Sequence, residues 1–155
     1  MEIRPAEPGD ALEASNVLRR SIRELCVEDH RNDEASLQRW LANKTPEQVL
    51  AWIASPDNYL LVAVEGGAIA GVAAAAPGGQ IRLNYVSPDF RFRGVSKALV
   101  SALEDHLRGE GCTRSFLDSS LTAQAFYRAI GYRDLGPAKP HGAMMALPMA
   151  KDLSG

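Results

Sequence analysis

The chain has 155 residues, of which 46% are hydrophobic and 23% charged, and these proportions are typical of one globular domain that buries a core. Its formal net charge of −2 argues against a broad nucleic-acid-binding face. No apolar run approaches the length of a bilayer span, residues 1–5 lack the apolar centre of a signal peptide, and the two cysteines, Cys26 and Cys112, provide no disulfide framework. We therefore expect a single domain over residues 1–155 in the reducing cytoplasm, with no membrane or nucleic-acid partner.

The chain begins with the pattern of a short strand followed by a helix. Residues 2–6 predict the strand, and nearby prolines stop it. Asp10 precedes Glu13 by three residues, which is the spacing of a capping box at a helix N-terminus. Apolar residues at helical spacing then predict one buried face, formed by Ala14, Leu18, Ile22 and Leu25. We expect this helix to end near Cys26.

A polar segment and two short helices come next. Residues 27–36 are strongly polar and predict a loop. Asp33 is placed to cap a helix that continues through Leu37 and Leu41. Thr45 is followed by proline at the first helical position and by glutamine at the third, a pattern that predicts a helix from there to about Ser55.

Three strands joined by glycine turns follow. Residues 59–65 are a continuous apolar run, residues 66–67 are two glycines, and residues 68–76 form a second strand-like segment. Residues 77–79 provide another turn, which leads into a third strand over residues 80–86. Short strands with tight glycine turns predict an antiparallel meander.

The rest of the chain alternates helices and strands. It predicts a helix that opens near Gly94, a strand over 113–118, a helix from about 121 to 130 closed by Gly131, and two last strands near 132–135 and 143–149. A strand, a helix and a second strand in succession imply a parallel neighbour reached by a right-handed crossover. The expected fold class is α/β (α+β), with a mixed, mostly antiparallel central sheet of about six to seven strands and helices on both faces.

The loop before Gly94 has the features of a phosphate site. Its glycine lets a ligand approach the backbone, and the first helical turn leaves N–H groups without partners. Arg91 and Arg93 add positive charge beside the helix dipole. Residues 81–103 contain four basic residues and one acidic residue in a chain whose net charge is −2, so the site suits a compact anionic ligand.

Other interpretations of this loop are weaker. A dinucleotide fingerprint requires three glycines, and only Gly94 is present. A nucleotide-triphosphate loop requires Gly-Lys-Ser/Thr, which is missing. An ordinary helix start with exposed arginines stays an alternative to a binding site.

Two motifs together resemble the Gcn5-related N-acetyltransferase (GNAT) family. Residues 91–96, Arg-Phe-Arg-Gly-Val-Ser, are similar to that family's acyl-CoA pyrophosphate loop, Gln/Arg-x-x-Gly-x-Gly/Ala. Residues 125–132, Ala-Phe-Tyr-Arg-Ala-Ile-Gly-Tyr, resemble its second motif, a helix with a tyrosine and a Gly-aromatic exit. The resemblance implies a single GNAT domain that moves acetyl from acetyl-CoA to a primary amine by direct attack in a ternary complex. The acceptor would be a small molecule, or a lysine or N-terminus of a peptide or protein.

The resemblance also implies roles for individual residues. Tyr127 would be the general acid that protonates the departing thiolate. The cofactor contacts would come from Tyr85, Val86, Arg91, Phe92, Arg93, Gly94, Val95, Ser96, Lys97, Ser120 and Phe126. Ser96 departs from the family's glycine or alanine. Ser120 has helix capping as its alternative role, and Phe126 has core packing.

The general base is left open by the sequence. Relatives often use a glutamate on the central strand, where this chain has Arg82 and Asn84 and no acid. The candidates are water and the following side chains: Asp118, Glu28, Asp29, His30 and His141. No histidine or cysteine pair has the spacing of a zinc site, so no metal is expected.

Acceptor choice is expected from residues 27–57, a helical segment on the acceptor side, and from the loop around His141. The acidic residues Glu24, Glu28 and Asp29 suggest a cationic acceptor. A homodimer is an expectation from the family alone. The rival hypothesis is a non-catalytic acyl-CoA-binding or sensing module with the same fold.

Overall fold

The computed structural model describes residues 1–142 and 144–154. The helices are α1 (Ala11–Leu25), α2 (Val27–His30), α3 (Glu34–Leu41), α4 (Pro46–Ala54), α5 (Val95–Gly109) and α6 (Gln124–Ala129). The strands are β1 (Glu2–Pro5), β2 (Tyr59–Glu65), β3 (Ala68–Ala75), β4 (Ile81–Val86), β5 (Arg114–Ser119), β6 (Arg133–Asp134), β7 (Lys139–His141) and β8 (Met144–Asp152). Position 143, where the last predicted strand begins, lies outside the described residues.

The strands form two sheets with antiparallel ladders. The first sheet has the order β1-β2-β3-β4, and the second has the order β5-β8-β6, with β7 also paired to β8. A single parallel bridge between Gln80 and Phe116 joins them. The predicted mixed, mostly antiparallel fold is confirmed, and the parallel neighbour of β4 is β5. The described residues contain eight strands because the short β7, which the sequence did not predict, pairs with β8.

Both faces of the first sheet are covered by helices, as predicted. Side chains alternate along a strand, so Leu61 of β2 packs with Leu99 and Leu103 of α5 on one face. Leu60, one position earlier, packs with Leu18 of α1 on the other face. The two cores therefore enclose the sheet that holds β4.

Gly71 lets α5 approach this sheet closely. A Cβ atom at Gly71 would lie 2.7 Å from Val95 Cγ1, 2.8 Å from Leu99 Cδ1 and 3.1 Å from Tyr85 O. Only a residue without a side chain fits between the strand and the first turn of the helix. The start of α5 is thereby held against the C-terminal half of β4.

Two local predictions are wrong. The Asp10 side chain does not cap α1; its carboxylate accepts hydrogen bonds from Arg4 and from the backbone N–H of Glu7, while Glu13 accepts from Ile69 N across to β3. Residues 27–36 are not a solvated loop throughout, because residues 27–30 form α2. Apolar periodicity does not predict α2, because its buried residues, Asp29 and His30, are polar and have side-chain partners outside this helix.

Candidate active site

A cavity of about 730 Å³ opens where β4 and β5 diverge. The strands are bridged at Gln80 and Phe116, and among the described residues no ladder joins them beyond that point. Gly79 makes the junction possible, since a side chain at its positive φ of 110° would collide with the carbonyl oxygen of Arg114. Helices α3 and α4, the segment before α6, and the hairpin of β7 and β8 form the other walls.

Tyr127 lies in the wall of this cavity. The side chain is anchored in the core: the residue is only 6% exposed, and its ring packs edge-on against Phe126 and Tyr132. Its hydroxyl oxygen accepts a hydrogen bond of 3.0 Å from Asn84 Nδ2. Burial raises the pKa of Tyr127 to about 12, so the phenol keeps its proton at neutral pH. The described residues offer that proton no acceptor, which leaves it free for a ligand.

Asn84 entered the sequence analysis only as a residue of the central strand, where relatives often have a glutamate. It lies on β4, and its amide nitrogen donates to Tyr127. Its Oδ1 atom is buried and has no hydrogen-bond partner among the described residues. A buried polar atom without a partner costs free energy unless a ligand or water satisfies it. This oxygen belongs to the side chain that orients the Tyr127 hydroxyl, so unfilled hydrogen-bonding capacity lies next to the predicted general acid.

Tyr85, a predicted cofactor residue, faces α3 with its side chain. Its hydroxyl accepts a hydrogen bond of 3.2 Å from Trp40 Nε1, and burial raises its pKa above the usual range. The backbones of Tyr85 and Val86 pair with Val72 and Gly71 of β3. The opposite edge of β4 faces the gap to β5.

The predicted pyrophosphate loop lies outside the cavity, at the N-terminus of α5. Gly94 adopts the left-handed conformation with a φ of 76°, and Phe92 also has a positive φ of 63°. Arg91 and Arg93 are exposed; Arg91 stacks over the Phe92 ring, and Arg93 stacks over the Phe90 ring. The first intrahelical bond runs from Ala98 N to Gly94 O, so the N–H groups before it point out of the helix end.

The remaining predicted cofactor residues have different surroundings. Val95 is buried against Gly71, whereas Lys97 is exposed and Ser96 half-buried. Ser120 Oγ accepts a hydrogen bond of 3.2 Å from Ala123 N, so it caps the turn that leads into α6. Phe126 is half-buried and packs on the core, less deeply than Tyr127 beside it.

The candidates for the general base separate into two groups. Asp29 is buried and accepts from Leu121 N and from the backbone and hydroxyl of Thr122. His30 uses both ring nitrogens, since Nε2 donates to Ile22 O and Nδ1 accepts from Asn32 N.

These two side chains hold α2 in place and have no free atom for proton transfer. Glu28 is exposed and lies outside the cavity wall. Of the five side chains considered for the general base, only Asp118 and His141 line the cavity and have no side-chain hydrogen bond among the described residues.

Three basic residues line the cavity: Arg39, Lys44 and Arg82. The sequence singled out neither Arg39 nor Lys44, and it placed Arg82 on the central strand without a role in the site. Lys44 is 6% exposed, and its Nζ donates to Asn43 Oδ1 at 2.6 Å and to Trp40 O at 3.3 Å. Burial lowers the pKa of Lys44 to about 8. A lone lysine between two helices has no pattern that would single it out, so only its placement reveals it.

Within the described ranges, no group of three or more histidine, cysteine or acidic side chains is arranged to hold a metal ion. No helix among the same residues has the length and hydropathy of a membrane span. Cys26 and Cys112 are both free thiols.

Comparisons with known proteins connect this geometry to a family. The profile described as an acetyltransferase (GNAT) domain matches residues 26–153. IAA acetyltransferase of Azospirillum brasilense is 29% identical in an alignment over 119 residues, and the match covers 68% of this chain and 78% of that protein. Glucosamine 6-phosphate N-acetyltransferase of Trypanosoma brucei brucei is 38% identical over 55 residues, 36% of this chain and 37% of that protein.

Solved structures have the same fold. A GCN5-related N-acetyltransferase of Rhodopseudomonas palustris superposes with a TM-score of 0.86 at 24% identity, covering 97% of this chain and 94% of that one. The PaiA N-acetyltransferase of Thermoplasma acidophilum, in complex with coenzyme A, has a TM-score of 0.83 at 18% identity, with 97% and 98% coverage. The chain therefore belongs to the acetyltransferase (GNAT) family and is an acyl-CoA-dependent acetyltransferase with acetyl-CoA as its co-substrate.

Proposed function

We propose that the protein acetylates a primary amine of a small molecule by direct attack of that amine on acetyl-CoA in a ternary complex. The observation that supports this most strongly is the Tyr127 phenol, which is anchored in the core and oriented by Asn84 in the cavity wall. The free thiols Cys26 and Cys112 are consistent with a reducing cytoplasm as the site of action.

The proposed reaction transfers one acyl group and moves two protons, one from the ammonium to a base and one from the attacking nitrogen to the departing sulfur by way of Tyr127. The neutral amine nitrogen attacks the thioester carbonyl carbon, a C–N bond forms and the C–S bond breaks. Tyr127 donates its phenolic proton to the departing sulfur and later recovers a proton that the amine has lost. Asp118, His141 or water accepts the proton of the incoming ammonium, because the Asp118 and His141 side chains line the cavity without a hydrogen bond among the described residues, while both oxygens of Asp29 and both ring nitrogens of His30 already have partners.

The cofactor would be bound along β4 and at the start of α5. The open edge of Tyr85 and Val86 offers backbone groups to an extended ligand, in the manner of an added strand. The free N–H groups of the first turn of α5, with Arg91 and Arg93 beside them, suit the diphosphate. These two surfaces would place the thioester between the strands, next to Tyr127.

The acceptor would enter from the side of α2, α3 and α4. This segment, residues 27–57, contributes Trp40, Lys44 and Trp52 to the cavity wall, opposite the hairpin that contains His141. The two curated relatives are named for small-molecule substrates, and a cavity of about 730 Å³ suits a ligand of that size.

Two measurements test the proposal. Release of free thiol from acetyl-CoA with a panel of primary amines reports turnover, and calorimetry with coenzyme A reports binding. The double variant Arg91→Gln, Arg93→Gln should weaken coenzyme A binding about tenfold or more, because two charge-assisted contacts are lost. Arg23→Gln with Arg133→Gln, two exposed arginines elsewhere, is the matched control.

Two results would count against it. No thiol release with any amine, despite tight coenzyme A binding, would remove the catalytic proposal. Unchanged affinity in the double variant would remove the loop from the binding site.

A further inference from the structure

We propose that the acceptor amine also carries an oxyanion, a carboxylate or a phosphate, and that Lys44, together with Arg82 and Arg39, binds this group in the cavity. The inference deepens the proposed amine acetylation and rests on it. It differs from the cationic acceptor that Glu24, Glu28 and Asp29 suggested in the sequence.

Lys44 is the central observation. Its ammonium group is buried in the cavity wall, and its partners there are two neutral oxygens, Asn43 Oδ1 and Trp40 O. No carboxylate lies within 4.0 Å of it among the residues that the structure describes. Buried charges in proteins are normally paired, so an ammonium without a counterion on the wall of a cavity is a site for an anion.

The lysine is also held in position from behind. Arg19 of α1 donates from Nη1 to Leu41 O at 3.1 Å and to Lys44 O at 3.2 Å. These bonds fix the backbone where α3 ends and α4 is about to begin. An ammonium on a fixed backbone is preorganised for its ligand and loses little freedom on binding.

Two arginines add to the positive charge of the same wall. Arg82 of β4 donates from Nη1 to Asn58 Oδ1 at 3.1 Å, and Arg39 of α3 lies near Gly142 of the opposite hairpin. In the described part of the chain, neither forms an ion pair with a carboxylate. Both guanidinium groups therefore keep charge and donors available for a ligand.

The negative groups of the region do not offset this charge. Both oxygens of Asp29 accept hydrogen bonds from the segment before α6. Glu24 pairs with Arg20 at 2.9 Å, outside the cavity. Asp118 is the other carboxylate in the wall, and it is exposed. The cavity wall therefore contains three cationic side chains and one carboxylate, that of Asp118, whose oxygens are not already hydrogen-bonded among the described residues.

Matched pairs of acceptors test the proposal. The carboxylate arm compares glycine, β-alanine and γ-aminobutyrate with their amides, and the phosphate arm compares O-phosphoethanolamine with ethanolamine. For the preferred spacer, the acid should have a kcat/KM about 10 to 100 times that of its neutral partner, the factor expected for hydrogen bonds to a charged group. The arm with the larger ratio identifies the oxyanion.

Variants then locate the site. Lys44→Met should reduce the ratio of acid to neutral acceptor about tenfold, because the charge-assisted contact to the oxyanion is lost. Arg82→Gln should reduce the same ratio by a smaller factor. Arg23→Gln, an exposed cation outside the cavity, is the control and should leave the ratio as it is.

Calorimetry separates this inference from the proposed function. If no amine is acetylated, the proposed function fails. The anion site is still tested, because calorimetry compares the affinity of each acid and of its neutral partner for the complex with coenzyme A. Equal binding or equal turnover of the members of every pair would overturn it. A ratio that Lys44→Met leaves unchanged would also overturn it.

Discussion

Asn84 Nδ2, on β4, donates a hydrogen bond of 3.0 Å to the hydroxyl oxygen of Tyr127, on α6, and this bond fixes the orientation of the phenol. Because Asn84 supplies the donor of this bond, the phenolic hydrogen of Tyr127 is not used in it and has no acceptor among the described residues. The same asparagine leaves its Oδ1 buried and without a partner among the described residues. One donor hydrogen and one acceptor oxygen at this contact therefore have unfilled hydrogen-bonding capacity.

Replacement of Tyr127 by phenylalanine should lower kcat by a factor of about 10² to 10⁴, because general acid catalysis at the sulfur is lost. Coenzyme A binding should persist, since the ring remains in the core. Thiol release and calorimetry measure the two quantities. Tyr59→Phe is the control for loss of a phenol, because Tyr59 stacks on His106 away from this cavity. A kcat within about a factor of two of the wild type would remove the acid role of Tyr127.

The pH dependence of kcat should contain no alkaline loss from Tyr127 in the usual assay range. Burial raises the pKa of Tyr127 to about 12, and an acid stays protonated below its pKa. The phenol is thus competent from neutral pH to about pH 11. A fall in kcat centred near pH 9 that Tyr127→Phe abolishes would contradict this expectation.

Replacement of Asn84 by leucine should separate stability from activity. We expect kcat to fall about tenfold or more, because the Tyr127 hydroxyl loses the donor that orients it. The free energy of unfolding should stay within about 1 kcal/mol of the wild type or rise, because an unpartnered buried oxygen is removed together with one hydrogen bond. Urea denaturation and thiol release measure the two effects, with the exposed Asn16→Leu on α1 as control. A large loss of stability with unchanged kcat would be the opposite result.

Replacement of Gly94 by alanine should cost about 1–2 kcal/mol of stability, because a φ of 76° is unfavourable for a residue with a side chain. An added Cβ meets no atom within 4 Å there, so the cost is conformational. Gly66→Ala is a matched control, with a φ of 60° and equally open space. Both variants should lose similar stability in denaturant titrations, but only Gly94→Ala should weaken coenzyme A binding. Equal coenzyme A affinity in the two variants would contradict a role of this turn in binding.

Lys44 should make stability depend on pH above neutrality. Burial lowers the pKa of Lys44 to about 8 in the folded state, whereas an unfolded lysine titrates near 10.5. Between these values the unfolded state binds more protons, so the free energy of unfolding rises with pH, by at most about 3 kcal/mol. Lys44→Met should remove this rise and be more stable than the wild type at pH 7. The free energy of unfolding of both proteins is measured in urea at pH 7.5 and pH 10. The same change between the two pH values in wild type and Lys44→Met would rule out this role of Lys44.

Much of the fold followed from local patterns. Thr45 caps α4 by accepting from Gln48 N, Asp33 caps α3 by accepting from Ser36 N, and β2 has the predicted bounds. Each of these depends on residues a few positions apart, where intrinsic preference and hydrogen bonding are decided. The capping box at Asp10 failed because Arg4 and Glu7 compete for the same carboxylate.

The sequence by itself determined the alternation of strands and helices and the glycine turn before α5, because these depend on short-range periodicity and on the unique freedom of glycine, and the family motif in it singled out the tyrosine of α6. Only the tertiary structure decided what surrounds that tyrosine. Asn84 and Tyr127 are 43 positions apart, and Lys44 reaches the same cavity from a third region of the chain. That packing buries Tyr127 and pairs Asp29 with the segment before α6. It also leaves Lys44 without a carboxylate partner among the described residues. These features arise when distant segments exclude water together, and no local pattern contains them.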